Sequence, residues 1–213
     1  MTTERRFELE IDPDDKFEIN RWLNDRVVTL VSGSPRRREI MKLLGLEFEV
    51  RPSKLSEDGN SDSVAPQHYA LAQAICKLQS VPVEQGLAIS ADTIVVLDGE
   101  LLHKPTDEAD ALRILRKLSG QTHTVYTALA LRDIDSGKHV GNVAASRVTF
   151  RKLSDEQLRD YIATGEPMDK AGAYGIQGMG ELLVDRLDGS LSNVIGFPVF
   201  LFARLLRELC GEV

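Results

Sequence analysis

Surplus positive charge is the first thing this chain lacks: 26 Lys and Arg stand against 33 Asp and Glu, a formal charge of −7 over 213 residues. A duplex-binding face must neutralise phosphates with a net basic surface, so a nucleic-acid polymer is excluded as the expected partner. Cysteine is scarce. Cys76 and Cys210 make neither a disulfide framework nor a zinc signature, and each lies in a helix-like apolar pattern, so both are expected as reduced core residues. No apolar run approaches the ~18 residues of a membrane span. The first twenty residues are polar and acidic, without the apolar centre of a secretory signal. His68, His103, His123 and His139 show no HExxH or other close pairing, so a histidine metal site is not expected. No GxSxG elbow surrounds Ser32 or Ser34, which argues against covalent serine catalysis, and the GxxxxGK[ST] phosphate loop is missing. What is present is an ordinary apolar fraction of 42%, which excludes wholesale disorder. The length suits one domain or a tightly joined two-lobed unit. The expectation is a soluble, cytoplasmic protein with no membrane partner.

Ordered structure is expected from Arg26, with residues 1–25 as an N-terminal extension and residues 26–213 as one two-lobed domain. Val27–Ser32 reads as a strand. Ser34 and Pro35 supply an N-cap and an N1 proline for a helix that stops at Gly45, with Ile40, Leu43 and Leu44 as its apolar stripe. Ser56–Ala65 is polar and reads as a mobile loop. A helix is expected over Pro66–Gln79 with Tyr69, Ala72, Cys76 and Leu78 inward. Leu87–Leu97 reads as an apolar strand, followed by the hairpin signal Asp98-Gly99, a return strand Glu100–His103 and a helix over Thr106–Leu118. Strands are expected over His123–Arg132 and Lys138–Arg151. Ser154 and Gln157 form a capping box for a helix ending at Gly165. Glu181–Asp188 reads as a strand and Val199–Cys210 as a closing helix. Hairpins mixed with helices point to an α/β fold with a mixed, partly antiparallel sheet.

Three segments can carry chemistry. In Ser32-Gly33-Ser34-Pro35-Arg36-Arg37-Arg38 a strand end leads into a helix start, where backbone N–H groups attract anions and arginine adds bidentate donors; a capped helix with a solvated charge run is the alternative. In Ser90-Ala91-Asp92-Thr93 a carboxylate interrupts an apolar strand. Buried alone it would be very costly, so it is either paired, metal-bound or at a cleft, or else it faces water on an edge strand. Asp92 in a cleft could hold a divalent cation or take a proton from an attacking water, and Lys104-Pro105 returns a cation toward the same strand end. The third segment, Asp169-Lys170-Ala171-Gly172-Ala173-Tyr174-Gly175-Ile176-Gln177-Gly178, has glycines that allow close backbone approach. Lys170 brings charge there and Gln177 a donor–acceptor pair suited to a base edge; an ordinary glycine-rich connection is the alternative.

The order of these segments, together with Gly120–Thr127 (GQTHTVYT) and Asn193–Pro198 (NVIGFP), resembles the Maf family over roughly Arg26 to Leu206. The resemblance implies a fold related to the inosine triphosphatases, an elongated mixed sheet with flanking helices and a cleft between two lobes. It implies hydrolysis of nucleoside triphosphates to monophosphate and pyrophosphate with a divalent cation, Mg2+ or Mn2+. By the same resemblance Asp92 is the proton acceptor; Arg36, Thr93 and Gln177 match positions of substrate specificity, in the manner of the branch acting on dTTP and UTP. Glu57 matches an acidic metal-site position shared with Asp92, and Lys77, Lys104 and Lys170 match phosphate-side lysines. Ser32, Ser34 and Arg37 complete the expected substrate-binding set. A homodimer is compatible with this reading. The rival class is a nucleotide-binding regulator of cell division and septum formation that does not turn its ligand over.

Overall fold

A computed structural model describes residues 13–23, 26–55 and 64–211. In chain order the elements are α1 (Pro13–Leu23), β1 (Val28–Leu30), α2 (Pro35–Leu43), β2 (Glu49–Val50), α3 (Pro66–Gln79), β3 (Leu87–Leu97), β4 (Glu100–Leu102), α4 (Glu108–Leu118), β5 (Thr122–Asp133), β6 (His139–Phe150), α5 (Asp155–Ala163), β7 (Val184–Asp188), α6 (Leu191–Ile195) and α7 (Val199–Cys210). Three 3₁₀ turns, Glu166–Asp169, Ala171–Ala173 and Gly178–Leu183, lie between α5 and β7. The strands form one seven-stranded sheet of order β2-β1-β3-β5-β6-β7, with β4 paired to β3. The pairs β1–β2 and β1–β3 are parallel, while β3–β4 and β6–β7 are antiparallel, so the sheet is mixed.

β3 is the central strand. Ten of its eleven residues are buried, which is why its sequence is nearly continuously apolar rather than alternating. It pairs with β1 over Leu87–Ile89 and with β4 over Val95–Leu97. Between these stretches lie Ser90–Ile94, which neither β1 nor β4 pairs. Asp98 (φ 49°) and Gly99 (φ 84°) make the turn to β4, with positive φ at both central positions.

The chain divides into two units. One contains Ile94–Tyr126 and Ala145–Ile195. Its core is built from Ile114, Leu115 and Leu118 of α4, Leu158 and Tyr161 of α5, Phe150 and Tyr174, all buried, and α4 packs on α5. The capping box at α5 is complete: Ser154 Oγ accepts from Gln157 N at 3.3 Å and Gln157 Oε1 accepts from Ser154 N at 2.9 Å.

The other unit holds, among the described residues, 13–93, Thr127–Ala144 and 196–211. Leu30, Ile40, Met41, Leu44, Leu87 and Ile89 are buried there with Phe197, Phe202, Leu205 and Leu206. α2 ends in a Schellman motif, with Gly45 (φ 78°) donating to Lys42 O and Leu46 N donating to Met41 O. Gly86 (φ 73°) passes so close to Val27 that a Cβ would lie 2.1 Å from its carbonyl oxygen.

Several expectations are corrected. Cys76 and Cys210 are exposed thiols, not core residues. On α3 the buried stripe is Tyr69, Ala70, Ala74, Lys77 and Leu78; Lys77 lies in it, and that turns Ala72 and Cys76 outward. On α2, Met41 is buried and Leu43 is 55% exposed. Ser34 occupies the N-cap position without a side-chain capping bond. The first three residues of the expected strand Glu181–Asp188 belong to a 3₁₀ turn, and β7 begins at Val184. Ordered structure also begins before Arg26, in α1.

α1 packs on α7. Ile19 and Leu23 are buried, Arg207 pairs with Glu18, and its guanidinium lies 5.7 Å over the Trp22 ring. Asn20 Nδ2 donates to Leu44 O at 2.9 Å, satisfying a carbonyl at the C-terminal end of α2. The pattern Ile19, Trp22, Leu23 behind a proline and two acidic residues is a helix signal within a segment otherwise rich in charge. Ile19→Ala should lower unfolding stability by about 2–4 kcal/mol in denaturant melts, while Phe17→Ala, at a side chain 73% exposed, should shift it by less than about 0.5 kcal/mol. Equally small effects at both positions would contradict a packed α1.

Candidate active site

The polar stretch Ser90–Thr93 divides its side chains as a strand must, alternate residues to alternate faces. Ser90 and Asp92 meet α3. Ser90 Oγ donates to Ala74 O at 2.6 Å, and Lys77 Nζ donates to Asp92 Oδ1 at 2.6 Å. Both charged side chains are buried, 9% exposed for Lys77 and 8% for Asp92. Each ion would be costly there alone; paired at hydrogen-bond distance they offset one another. The water-facing edge-strand alternative for Asp92 is thereby removed.

Thr93 points the other way. Its hydroxyl lies 3.0 Å from Thr127 Oγ1 on β5 and accepts from Arg37 Nη2 at 3.2 Å. Arg37 spreads over two further oxygens, donating from Nη1 to Ser32 Oγ at 2.9 Å and from Nε to Gly196 O at 2.9 Å. Ser32 Oγ also accepts from Ser34 N at 3.2 Å. Gly196 has φ 113°, and a Cβ there would sit 3.1 Å from Thr93 Oγ1. The NVIGFP stretch thus supplies a carbonyl and a space that no side chain could leave open. Arg36 is half-buried in the first turn of α2.

In the other unit, Lys104 is exposed and follows His103, whose carbonyl accepts from Gly172 N at 3.2 Å. Lys170 Nζ donates to Asp169 Oδ1 at 2.6 Å and to the Glu166 carbonyl. Gln177 is exposed, in extended backbone just after the buried Ile176.

The structure therefore brings together Ser32, Arg37 and Thr93, and pairs Lys77 with Asp92. It places Lys170 and Gln177 on one glycine-rich segment. Glu57 lies outside the described residues. Among the described residues no group of three or more His, Cys, Asp or Glu side chains could hold a metal ion. Asp92 offers the hard carboxylate oxygen that Mg2+ prefers, and Mg2+ is commonly held by one or two carboxylates with substrate phosphates and water, so the donor chemistry fits without an all-protein cage. Sequence reasoning passed over Thr127 and the Gly196 carbonyl, although both lie in the GQTHTVYT and NVIGFP stretches; Thr127 faces Thr93 only across the strand pair.

Fold and site define a class of mixed-sheet α/β protein whose central strand carries a lysine-paired carboxylate between the stretches that pair with β1 and β4. No helix among the described residues is long and apolar enough to cross a membrane. Residues 27–209 match the model of the family described as Maf-like protein, and the chain belongs to that family. It is 44% identical to a dTTP/UTP pyrophosphatase of Dictyoglomus thermophilum, over 85% of this chain and 95% of the relative. It is 45% identical to one from Anaeromyxobacter dehalogenans, over 85% and 93%, and 43% identical to one from Aquifex aeolicus, over 85% and 95%.

The GQTHTVYT stretch also sends His123 inward. Its Nε2 shares a hydrogen bond of 2.8 Å with the Tyr174 hydroxyl, and the rings of His123, Phe150 and Tyr174 meet edge to face. Burial disfavours the imidazolium and lowers its pKa to about 4, against about 6.5 in the unfolded chain. Between those values the unfolded chain binds a proton that the folded one does not. The stabilising contribution is therefore full above about pH 6.5 and is lost as pH falls toward about 4. Denaturant melts across that window should show His123→Phe with a flatter stability–pH curve than wild type. An unchanged slope would contradict the neutral buried histidine.

Proposed function

We propose that this chain hydrolyses dTTP, UTP and related pyrimidine nucleoside triphosphates to the monophosphate and pyrophosphate, a house-cleaning activity in the cytoplasm. The observation that carries the reading is the buried Asp92, held by Lys77 at 2.6 Å in a chain of the Maf family. The relatives' name, dTTP/UTP pyrophosphatase, supports the substrate class. A non-catalytic regulator of division is not favoured, because the relatives are named for a reaction.

In this mechanism Asp92 orients a water toward the α-phosphorus and accepts its proton as the new P–O bond forms. The bond from that phosphorus to the bridging oxygen breaks, and pyrophosphate leaves. Lys77 keeps the carboxylate fixed for this task. Ser32, Ser34 and Arg36, with the backbone N–H groups opening α2, take phosphate charge, as do Lys104 and Lys170; such positioning and electrostatic stabilisation supply most of the catalysis in phosphoryl-type transfer. Thr93 and Gln177 contact the pyrimidine edge, where a wrong base leaves polar groups unpaired. Arg37 serves the nucleotide through Thr93, whose hydroxyl it holds. Asp92 and Glu57 would hold a divalent cation, which when bound offsets charge developing on the phosphate oxygens.

Pyrophosphate release over many turnovers across a nucleotide panel tests the reading. Wild-type protein with magnesium should prefer dTTP and UTP, and Asp92→Asn should keep the fold and lose about a hundredfold or more in kcat. Full activity in Asp92→Asn would remove the carboxylate from the proton-accepting role. Binding without turnover in wild type would restore the regulator.

A further inference from the structure

The segment 175–180 has no regular secondary structure until its 3₁₀ turn, yet it is held at both ends by one small network of side chains. α5 stops at Gly165 (φ 73°), and Glu166 opens the next 3₁₀ turn. The Glu166 carboxylate turns onto the glycine-rich segment: Oε2 accepts from Met179 N at 3.1 Å and Oε1 from Gly180 N at 3.2 Å. Oε1 also accepts from the Tyr161 hydroxyl at 3.0 Å. That hydroxyl in turn accepts from Gly175 N at 3.1 Å. Burial, with Glu166 beside it, pushes the Tyr161 hydroxyl pKa up, so it stays protonated and donates. Lys170 folds back to the Glu166 carbonyl.

The glycines of the segment fit this arrangement. A Cβ on Gly175 would meet Lys170 Cε at 2.8 Å, and one on Gly178 (φ 69°) would meet Glu166 Oε2 at 2.9 Å. One on Gly180 would meet Gly175 O at 2.0 Å and the Tyr161 hydroxyl at 2.8 Å. Three of the glycines that look like loop flexibility are thus sites where backbone must approach a carboxylate, a lysine stem or a phenol. Gln177 sits between the two anchored ends, two residues after Gly175 and two before Met179.

We propose that Glu166 is a positioning residue for the reaction: its carboxylate clasps Met179, Gly180 and Tyr161, and so fixes the backbone that presents Gln177. The effect on specificity rests on the reading of Gln177 as a base contact. Consecutive backbone N–H groups on a carboxylate make stronger bonds than neutral pairs, and an irregular segment loosens when such bonds go. Glutamine cannot replace this carboxylate fully, since one of its two terminal atoms is a donor set against a backbone donor.

The test uses the full chain with Glu166→Ala, Glu166→Gln, Tyr161→Phe and Gln177→Ala, read by amide hydrogen exchange of the free protein and by pyrophosphate release from UTP, dTTP and GTP. In Glu166→Ala, exchange at Met179 and Gly180 should accelerate about tenfold or more while β3 amides stay as protected as in wild type. KM for UTP should rise about tenfold with kcat falling less than about threefold, and preference for UTP over GTP should drop toward that of Gln177→Ala. Glu166→Gln should fall between wild type and Glu166→Ala. Tyr161→Phe, which removes one oxygen, should accelerate exchange at Gly175 and covers the case in which Glu166→Ala fails to fold. A general loss of protection with KM and preference unchanged would make Glu166 a structural residue and overturn the proposal. Unaltered exchange at Met179 and Gly180 overturns the clasp whatever Gln177→Ala does. A Gln177→Ala enzyme with the wild-type preference overturns the base-contact reading, and the exchange measurement then still decides the clasp.

Discussion

A lysine and an aspartate, 2.6 Å apart and almost entirely out of water, tie α3 to the central strand, and the arrangement of the site depends on that contact. Asp92 sits on the central strand in a run otherwise suited to the interior, and Lys77 sits in the buried stripe of α3. An uncompensated buried ion costs several kcal/mol, so each charge is destabilising at its position until the other pairs with it, while the pair roughly breaks even. The pair requires that α3 turn Lys77 toward the sheet. Once Lys77 faces the sheet, Ala70 and Ala74 face it too, and the Ala74 carbonyl comes within 2.6 Å of Ser90 Oγ. Small residues at those positions let the helix lie close enough for the lysine to reach.

The same economy of means appears on the opposite face of the strand and in the other unit. Arg37 fixes the Thr93 hydroxyl by dividing its guanidinium among a threonine, a serine and the carbonyl of Gly196. Glu166 fixes a glycine-rich segment by dividing its carboxylate among two backbone amides and a tyrosine. In each case a planar, multivalent charged group gathers backbone outside the sheet and the α-helices, the Gly196 carbonyl in one and the Met179 and Gly180 amides in the other. Glycine is required where that backbone comes closest, at Gly196 and Gly180. These groups are placed by packed elements, α2 and the end of α5, so the precision of the irregular parts derives from regular ones.

Much of this was legible in the residues, and the exceptions have physical causes. α3, β3 and α7 fall on their expected bounds because their signals are local: a proline start, a long apolar run between turns, an amphipathic period. The capping box at Ser154 and the stop at Gly45 are likewise local stereochemistry. On α3, Tyr69 and Leu78 face inward as expected while Ala72 and Cys76 do not, because a lysine reads as solvent-facing until its partner, fifteen residues away, is brought to it by the fold. α1 does not stand out in the sequence because the charge around it obscures a short apolar stripe whose cover, α7, lies far along the chain. At the site, Asp92 stood out as a carboxylate in an apolar strand, and the resemblance assigned it a role. Glu166 carried no such signal; a glutamate after a helix-stopping glycine looks solvated until the glycine-rich segment folds over it.

If Lys77 acts on the chemistry by holding Asp92, the two residues form one functional unit. A double-mutant cycle in kcat, with Lys77→Met, Asp92→Asn and the two combined, measures this directly. Removing either member should cripple turnover, and the double variant should lose about as much as Asp92→Asn alone. A double variant whose loss equals the product of the two single losses would show that Lys77 and Asp92 act independently, and would contradict the pair as the centre of the site.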